Sequence, residues 1–547
     1  MIYPIPQKNN LNGESITVKS VTVSGDCKNI AENVFRSYGI GTEGGFKVEI
    51  EIADSRKTTY IEETSSLTDE KYFITVNNDG ALIETSSERG VFRALNTLCK
   101  FIEKDELKAG ELEDYPLFDT RGYIEGFYGK TWEEEKRHSV MSLMAKYGMN
   151  TYYYAPKDDI YHREKWRELY PEKELNDLKN LFDFATDSQM DFFWCVGPGL
   201  SYKYTSEEDF NLLIEKIKSI YALGIRNFGL LLDDIPTEFC YEEDKAAFDG
   251  IVDAHIQLIN KTYNALIKFD DTISLTVCPT QYSGDEKGYY ISKFGRNIPS
   301  DVKMFWTGAE ICSRILTVRE SEELLRSTGH KPLFWDNYPV NDCEMYQEMH
   351  LGAIIGRDKD LYKCSEGFIA NVMEYAECSK IPLMTIADYL WNPHCYCPEK
   401  SLKNAYEEIF GEKGEIFKYF GDNLGVSCLS RYSGGIMSST LGRIRKILAD
   451  GNRDAAVGEF KEYIGRMRKC LDLLESDEFP IFAELVKWTK KFSMCCDLLD
   501  AICNEWENPT EENFAILKDL TEKYNSDGTI LTGFAIRETA EKTLGLY

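Results

Sequence analysis

The middle of the chain, from about residue 119 to residue 393, repeats one pattern: an apolar run, a polar loop and an amphipathic helix. Eight of the apolar runs read as buried strands, at residues 121–125, 149–155, 191–196, 227–232, 272–277, 302–306, 332–335 and 367–370. Parallel strands are covered on both faces and are therefore nearly continuous apolar runs, and eight of them close a barrel. The pattern predicts an α/β fold with a (β/α)8 TIM barrel over residues 117–398.

The two ends of the chain follow different patterns. Residues 1–116 predict a small α+β domain, with half-buried strands at 15–19 and 46–52 and a hairpin of 72–76 with 81–85 around the turn residues 77–80. One helix is predicted there, at 89–102. Residues 399–547 predict a helical bundle, because helical periodicity dominates at 456–475, 482–503 and 511–524.

Short local signals also predict where barrel helices begin and end. Thr131 with Glu134, and Thr205 with Glu208, have the spacing of a capping box. Gly148 stands where a helix should end before the next strand. These positions predict helix boundaries within the barrel repeat.

Charge and composition limit the partners. The 547 residues carry a formal net charge of −29, which repels polyanions and argues against nucleic acid and acidic membrane surfaces as partners. The first residues lack a basic region followed by an apolar one, and no stretch reaches the roughly 20 apolar residues of a membrane span. With 16 scattered cysteines, we expect a cytoplasmic protein with free thiols, or a secreted one if a signal segment has been removed.

The carboxyl ends of the predicted strands are where a barrel of this kind holds its active site. There, the apolar run 228–232 stops abruptly at Asp233 and Asp234. Successive strand residues point to opposite faces, so both side chains can share a pocket only if the strand bends at its end. Two close carboxylates have separated pKa values, as glycoside hydrolysis requires. The alternative is that they cap the next helix or face solvent.

Other groups at the strand ends have two interpretations each. Lys157, Asp158 and Asp159 form either an exposed ion-pair cluster or part of the rim. Trp335 is either core or a platform for a sugar ring.

Common metal and nucleophile motifs are missing from the sequence. His394, Cys395 and Cys397 offer three potential zinc ligands, but no fourth is evident nearby, so this segment is interpreted as structural. We therefore expect no metal site and no cofactor.

Seven rim segments together resemble the family 84 glycoside hydrolases, a family of O-GlcNAcases and bacterial β-N-acetylglucosaminidases. They are RGYIEGFYG at 121–129, NTYYYAPKDD at 150–159, HREKWR at 162–167, LDDI at 232–235, CPTQY at 278–282, FWTG at 305–308 and WDN at 335–337. The resemblance spans the predicted barrel closely and the end domains in outline.

The resemblance implies a role for each matched residue. Asp233 would orient the acetamido group of the substrate, and Asp234 would act as general acid and then general base. The sugar would be held by Gly126, Lys157, Asn337, Asp342 and Asn371. The acetamido pocket and the leaving-group side would be lined by Tyr282, Thr307, Ile311 and Trp335. Departures from common family residues at Thr131, Ala309 and Ile311 bear on leaving-group preference.

The implied function is that of a retaining exo-β-N-acetylglucosaminidase that uses substrate-assisted catalysis through an oxazoline. Its expected partner is a GlcNAc-bearing glycan or glycoprotein. Two alternatives stay open: a hyaluronidase-like endo-hexosaminidase, which the acidic charge disfavours, and a GlcNAc-binding protein without turnover. The sequence carries no signal for oligomeric state, GalNAc tolerance or the natural leaving group.

Overall fold

A computed structural model describes residues 2–52, 69–532 and 534–546 of the chain. It shows a mixed sheet with two helices, then a closed barrel surrounded by helices, then a group of helices. This is the predicted fold class. The predicted N-terminal domain, 1–116, includes residues 53–68, which lie outside the described residues.

The N-terminal part is built on a six-stranded sheet with the order β1-β8-β5-β6-β4-β3 and a separate β2-β7 pair. Its elements are β1 Lys8–Asn9, β2 Ser15–Thr17, β3 Ser20–Gly25, α1 Lys28–Ser37, β4 Gly41–Ile52, β5 Tyr72–Asn77, β6 Gly80–Thr85, α2 Glu88–Phe101, β7 Glu106–Lys108 and β8 Gly110–Asp114. The predicted hairpin is β5 with β6, antiparallel up to the pair Asn77 and Gly80.

The prediction of a single helix in this region is wrong. The short helix α1 buries Ala31, Val34 and Phe35 on one face. Only three apolar positions carry its period, which is too few to distinguish the segment from a turn-rich connection. Two helices therefore pack on the N-terminal sheet.

Eight parallel strands close the barrel in the order β10-β11-β12-β13-β14-β15-β16-β9. They are β9 Thr120–Ile124, β10 Thr151–Tyr154, β11 Asp191–Val196, β12 Asn227–Leu231, β13 Ser274–Cys278, β14 Lys303–Trp306, β15 Pro332–Asp336 and β16 Gly367–Asn371. The surrounding helices are α3 Glu134–Lys146, α4 Glu172–Asp187, α5 Glu207–Tyr221, α6 Glu242–Ala247, α7 Ile251–Phe269, α8 Tyr289–Asn297, α9 Val318–Thr328 and α10 Ala376–Trp391. All eight predicted strands are confirmed, with ends shifted by a few residues.

Alternate strand residues divide the barrel into an interior and an outer layer. The interior cluster contains Phe193 and Cys195 from β11, while Phe192 and Trp194 from the same strand pack outward against the helices. Trp335, Cys278 and other strand-end residues close the upper end of the interior cluster. This packed interior forms the floor of any cavity at the carboxyl ends of the strands.

Helix boundaries follow the sequence signals in part. Gly148 has a φ of 88°, the left-handed conformation expected where a helix ends. Both capping-box predictions are wrong: α3 has Glu133 as its N-cap without a side-chain cap, and α5 is capped by Ser206, which accepts from the Asp209 amide. Thr205 instead donates its hydroxyl to Asp244 at 2.7 Å.

The C-terminal part is helical, as predicted. Its helices are α11 Pro398–Phe410, α12 Gly414–Gly421, α13 Gly435–Ala449, α14 Arg453–Leu474, α15 Val486–Glu507, α16 Glu511–Ser526 and α17 Ala535–Thr543. The α12–α13 connection, residues 422–434, lies on the barrel: Leu351 donates its amide to the Leu424 carbonyl at 2.9 Å. Within the described ranges, no helix combines the length and apolar character needed to cross a membrane.

Buried polar contacts join the N-terminal part to the barrel. Glu70 accepts from Arg93 at 2.8 Å and from Arg121 at 2.6 Å, and all three side chains are almost fully buried. Burial opposes ionisation of Glu70, but the Arg121 and Arg93 guanidinium groups hold its pKa below the usual range. The two parts therefore meet through a charged cluster as well as apolar packing.

Candidate active site

The backbone bends sharply at the carboxyl end of β12, where the two adjacent acids lie. The strand ends at Leu231, and Asp234 has a φ of 50°, a left-handed conformation that is uncommon for a residue other than glycine. Because of this bend, the side chains of Asp233 and Asp234 both line one cavity. The bend at the end of the strand, which the sequence analysis requires for a shared pocket, is therefore present.

Asp233 is buried and ion-paired. Its Oδ2 lies 2.5 Å from Lys157 Nζ, and the two side chains are only 8% and 5% exposed. Burial opposes the charged form, but the Lys157 ammonium, assisted by Arg163, outweighs it and lowers the pKa of Asp233 below its usual value. Asp233 is therefore an ionised acceptor at neutral pH.

Asp234 occupies a different environment. It is exposed, and it accepts from the Tyr128 hydroxyl at 2.9 Å and from the Tyr282 hydroxyl at 3.0 Å. Burial, reinforced by the Asp234 charge, raises the pKa of Tyr282, so that its hydroxyl stays protonated and donates. The two neighbouring carboxylates therefore differ in their partners. Asp233 pairs with the buried Lys157 ammonium, whereas Asp234 accepts from two neutral hydroxyl groups beside solvent.

A network of amide and indole groups forms another side of the cavity. Asn337 Oδ1 accepts from Trp335 Nε1 and from Asn371 Nδ2, each at 2.9 Å. Asn337 donates in turn to the Ile311 carbonyl at 2.8 Å, and Asn371 accepts from the Gly126 amide at 3.2 Å. The side-chain amides are therefore held in fixed orientations.

The cavity has a volume of about 490 Å³, within the range of small-molecule sites. It is lined by all eleven residues that the sequence analysis assigned to the site: Gly126, Lys157, Asp233, Asp234, Tyr282, Thr307, Ile311, Trp335, Asn337, Asp342 and Asn371. The structure therefore brings together residues that come from seven strand ends.

Asp342 closes the cavity from the connection that follows β15. It accepts from the Tyr128 amide at 2.7 Å, and burial raises its pKa. Among the described residues, no group of three or more histidine, cysteine, aspartate or glutamate side chains is arranged to hold a metal ion.

The charged run after β10 and Trp335 each had two interpretations, and the structure shows where their side chains lie. Of the charged run after β10, only Lys157 lines the cavity, since Asp158 accepts from the Thr131 amide and Asp159 from the hydroxyls of Tyr154 and Tyr170. Trp335 satisfies both interpretations. It packs edge-on against Phe305 in the barrel interior, at 5.1 Å between centroids, and also lines the cavity.

Several lining residues had no assigned role in the sequence analysis: Tyr128, Cys278, Cys312, Val340, Cys343, Glu344 and Met345. Tyr128 and Cys278 lie inside two of the segments that carry the family resemblance, so their place at the cavity could have been predicted from those segments. Cys343–Met345 form a short 3-10 helix after Asp342, several residues beyond the end of β15, where strand-end position gives no guide.

A parallel eight-stranded barrel with two adjacent acids in one cavity at its carboxyl rim is an arrangement that glycoside hydrolases of the barrel class use. The sequence model of the β-N-acetylglucosaminidase family matches residues 121–421, and that of domain 2 of glycosyl hydrolase family 20 matches residues 1–115. The chain belongs to the family 84 glycoside hydrolases, the family of these β-N-acetylglucosaminidases.

Relatives and solved structures agree with this assignment. The protein O-GlcNAcase of Rattus norvegicus is 30% identical over 274 residues, which are 49% of this chain and 29% of that relative, so the chain spans well under half of its length. The structure of a mutant Thermobaculum terrenum O-GlcNAc hydrolase has 30% identity and a TM-score of 0.74, covering 78% of this chain and 95% of that one. CpGH84B has 25% identity and a TM-score of 0.85 over 99% of this chain and 100% of its own.

Proposed function

We propose that the protein is a retaining exo-β-N-acetylglucosaminidase that removes terminal β-linked GlcNAc by substrate-assisted catalysis. The observation that carries the proposal is the pair Asp233 and Asp234, adjacent in sequence, facing one cavity and held in unlike environments. Family membership supports it, as do the names of the rat and Thermobaculum relatives, both of which refer to O-GlcNAc.

In this proposal Asp233 acts on the acetamido group. As an ionised carboxylate it accepts the acetamido N–H, which orients the group and increases electron density on its carbonyl oxygen. That oxygen attacks the anomeric carbon and forms an oxazoline, so the nucleophile is tethered and its effective concentration is high. The pair with Lys157 keeps Asp233 ionised for this task.

Asp234 manages the proton. In the protonated form it donates to the departing glycosidic oxygen, and as carboxylate it then takes a proton from the water that opens the oxazoline. The hydroxyls of Tyr128 and Tyr282 hold its two oxygens in place. Two inversions at the anomeric carbon give net retention, and the mechanism is an exception to the usual pair of carboxylate roles.

The remaining residues would bind the sugar. Gly126, Lys157, Asn337, Asp342 and Asn371 offer polar atoms to the hydroxyl groups, while Tyr282, Thr307, Ile311 and Trp335 surround the acetamido group and the leaving-group side. A GlcNAc-bearing glycan or glycoprotein is the proposed partner. We propose a reducing compartment as well, because all 16 cysteines are free.

The test compares chromogenic β-glycosides of GlcNAc and glucose. We expect release from the GlcNAc compound, little from the glucoside, and a fall of about 100-fold or more in Asp234→Asn on a substrate with a poor leaving group. Comparable turnover of the glucoside would contradict participation of the acetamido group.

The alternatives give different results. An endo-acting hyaluronidase would lower the viscosity of a hyaluronan solution. A binding protein without turnover would bind GlcNAc, as measured by calorimetry, but would form no product from a GlcNAc glycoside. The net charge of −29 works against a polyanionic substrate.

A further inference from the structure

Arg163 is a buried cation beside the cavity; its charge helps to lower the pKa of Asp233, but its guanidinium group forms no ion pair with a described carboxylate. It lies on the connection between β10 and α4 and is 7% exposed. Within the described part of the chain, no carboxylate lies within ion-pair distance of its guanidinium group. A buried charge is unfavourable unless its N–H groups donate to acceptors. The acceptors that Arg163 contacts therefore indicate what its charge does in the structure.

Both of its observed contacts lead to Asp234. Arg163 Nη2 donates to the Asp234 carbonyl at 3.1 Å, and Nη1 donates to the Tyr128 hydroxyl oxygen at 3.0 Å. Tyr128 in turn donates to Asp234 Oδ2 at 2.9 Å. One guanidinium group therefore holds both the backbone and, through one tyrosine, the carboxylate of the same acid.

The backbone contact lies where the chain is strained. Asp234 has a φ of 50°, and a left-handed conformation at a residue other than glycine is unfavourable and persists only where the surrounding structure holds it in place. Without that bend, Asp234 would face away from Asp233. The Arg163 contact stabilises the carbonyl of the strained residue itself.

The hydroxyl contact sets the direction of a hydrogen bond. A tyrosine hydroxyl both donates and accepts. Because Arg163 can only donate, it occupies the acceptor side of the Tyr128 oxygen and leaves the proton for Asp234. Tyr128 is thereby fixed as a donor toward the carboxylate.

We infer that Arg163 is a positioning residue for proton transfer, which holds Asp234 in its left-handed bend and fixes Tyr128 as a donor to it. The inference rests on the proposed function, since it concerns the group proposed to protonate the leaving oxygen. Arg163 itself need not contact the substrate.

The experiment varies the leaving group. Aryl β-GlcNAc glycosides with good and poor leaving groups are compared in wild type, Arg163→Met and Arg163→Lys. The poor leaving groups need the proton most, so in Arg163→Met we expect kcat/KM to fall by about 100-fold on the poorest and by less than about 10-fold on the best. Lysine can reach one acceptor at a time, and Arg163→Lys should recover part of the loss.

Arg167 supplies a matched control on the same connection. Its guanidinium group binds Asp209 and Ser201 and does not line the cavity. Arg167→Met should change kcat/KM by the same small factor on every substrate. Thermal unfolding of each variant accompanies the kinetics.

Two outcomes would overturn the inference in distinguishable ways. If wild type is active and Arg163→Met loses the same factor on all leaving groups, Arg163 only supports the fold and the inference alone is wrong. If wild type releases no aglycone at all, the proposed function fails and the inference fails with it.

Discussion

Replacing Lys157 by methionine removes the cation from a buried pair and leaves Asp233 behind. The two atoms are 2.5 Å apart and both side chains are at most 8% exposed. Removal of one partner from a buried pair costs about 3–5 kcal/mol, because the other charge is left unpaired. We expect Lys157→Met to lose about that much stability at neutral pH.

The loss should depend on pH. In wild type the pKa of Asp233 is lowered, so the pair contributes stability above the unfolded pKa, and this stability is lost as pH falls through the folded pKa. In Lys157→Met the strongest opposing charge is gone, and we expect burial to outweigh the remaining Arg163 charge and to raise the pKa of Asp233, so that stability falls as pH rises above the unfolded pKa. The two stability curves should therefore converge toward acid pH.

Urea unfolding at several pH values measures the difference directly. Lys130→Met is the control, because Lys130 is 75% exposed in its pair with Glu133, and such pairs contribute about 0–1 kcal/mol. The double variant Lys157→Met, Asp233→Asn should recover stability, since no buried charge remains. A Lys157→Met loss that is the same at every pH would refute the assignment of an ionised, ion-paired Asp233.

Two further predictions concern a cavity glycine and a buried acid. A Cβ at Gly126 would lie 2.5 Å from Trp335 Cζ2, so Gly126→Ala should weaken GlcNAc binding, measured by calorimetry, by about 10-fold or more. Gly442 in α13 is the control, because a Cβ there would meet nothing within 4 Å. Gly442→Ala should raise the free energy of unfolding by about 0.5–1 kcal/mol. Burial raises the pKa of Asp388 to about 7, so wild type loses stability as pH rises from about 4 to about 7. Asp388→Asn should gain on wild type over that interval, by up to about 4 kcal/mol in urea unfolding, and a constant difference would contradict this.

The barrel could be predicted because its strands are buried on both faces. Each strand is a nearly continuous apolar run, such as residues 228–232, so it can be predicted from its own segment of sequence alone. Helix α1 could not be predicted, because ten residues with three buried positions give too short a periodic signal. The capping residue of α5 could not be predicted, because the Thr205 hydroxyl donates to Asp244, which lies 39 residues away in sequence.

The cavity residues could be predicted from strand ends together with the family resemblance. Position along the chain indicates that Lys157 and Asp233 meet at one rim, but it does not indicate that they pair at 2.5 Å. Nor does it reveal the left-handed Asp234 or the contacts of Arg163. Those features arise from packing between different strand ends, which no local pattern encodes.

The connection 422–434 carries a consequence for how the molecule can be divided. Cys428 Sγ lies 3.7 Å from the Asn337 carbonyl, behind the amide network of the cavity. A fragment ending near residue 398 would therefore remove the contact behind Asn337, although every barrel strand would be intact. Swapping C-terminal segments among relatives would likewise change the contact behind Asn337, so the helical end of the chain and the support of that residue cannot be exchanged independently.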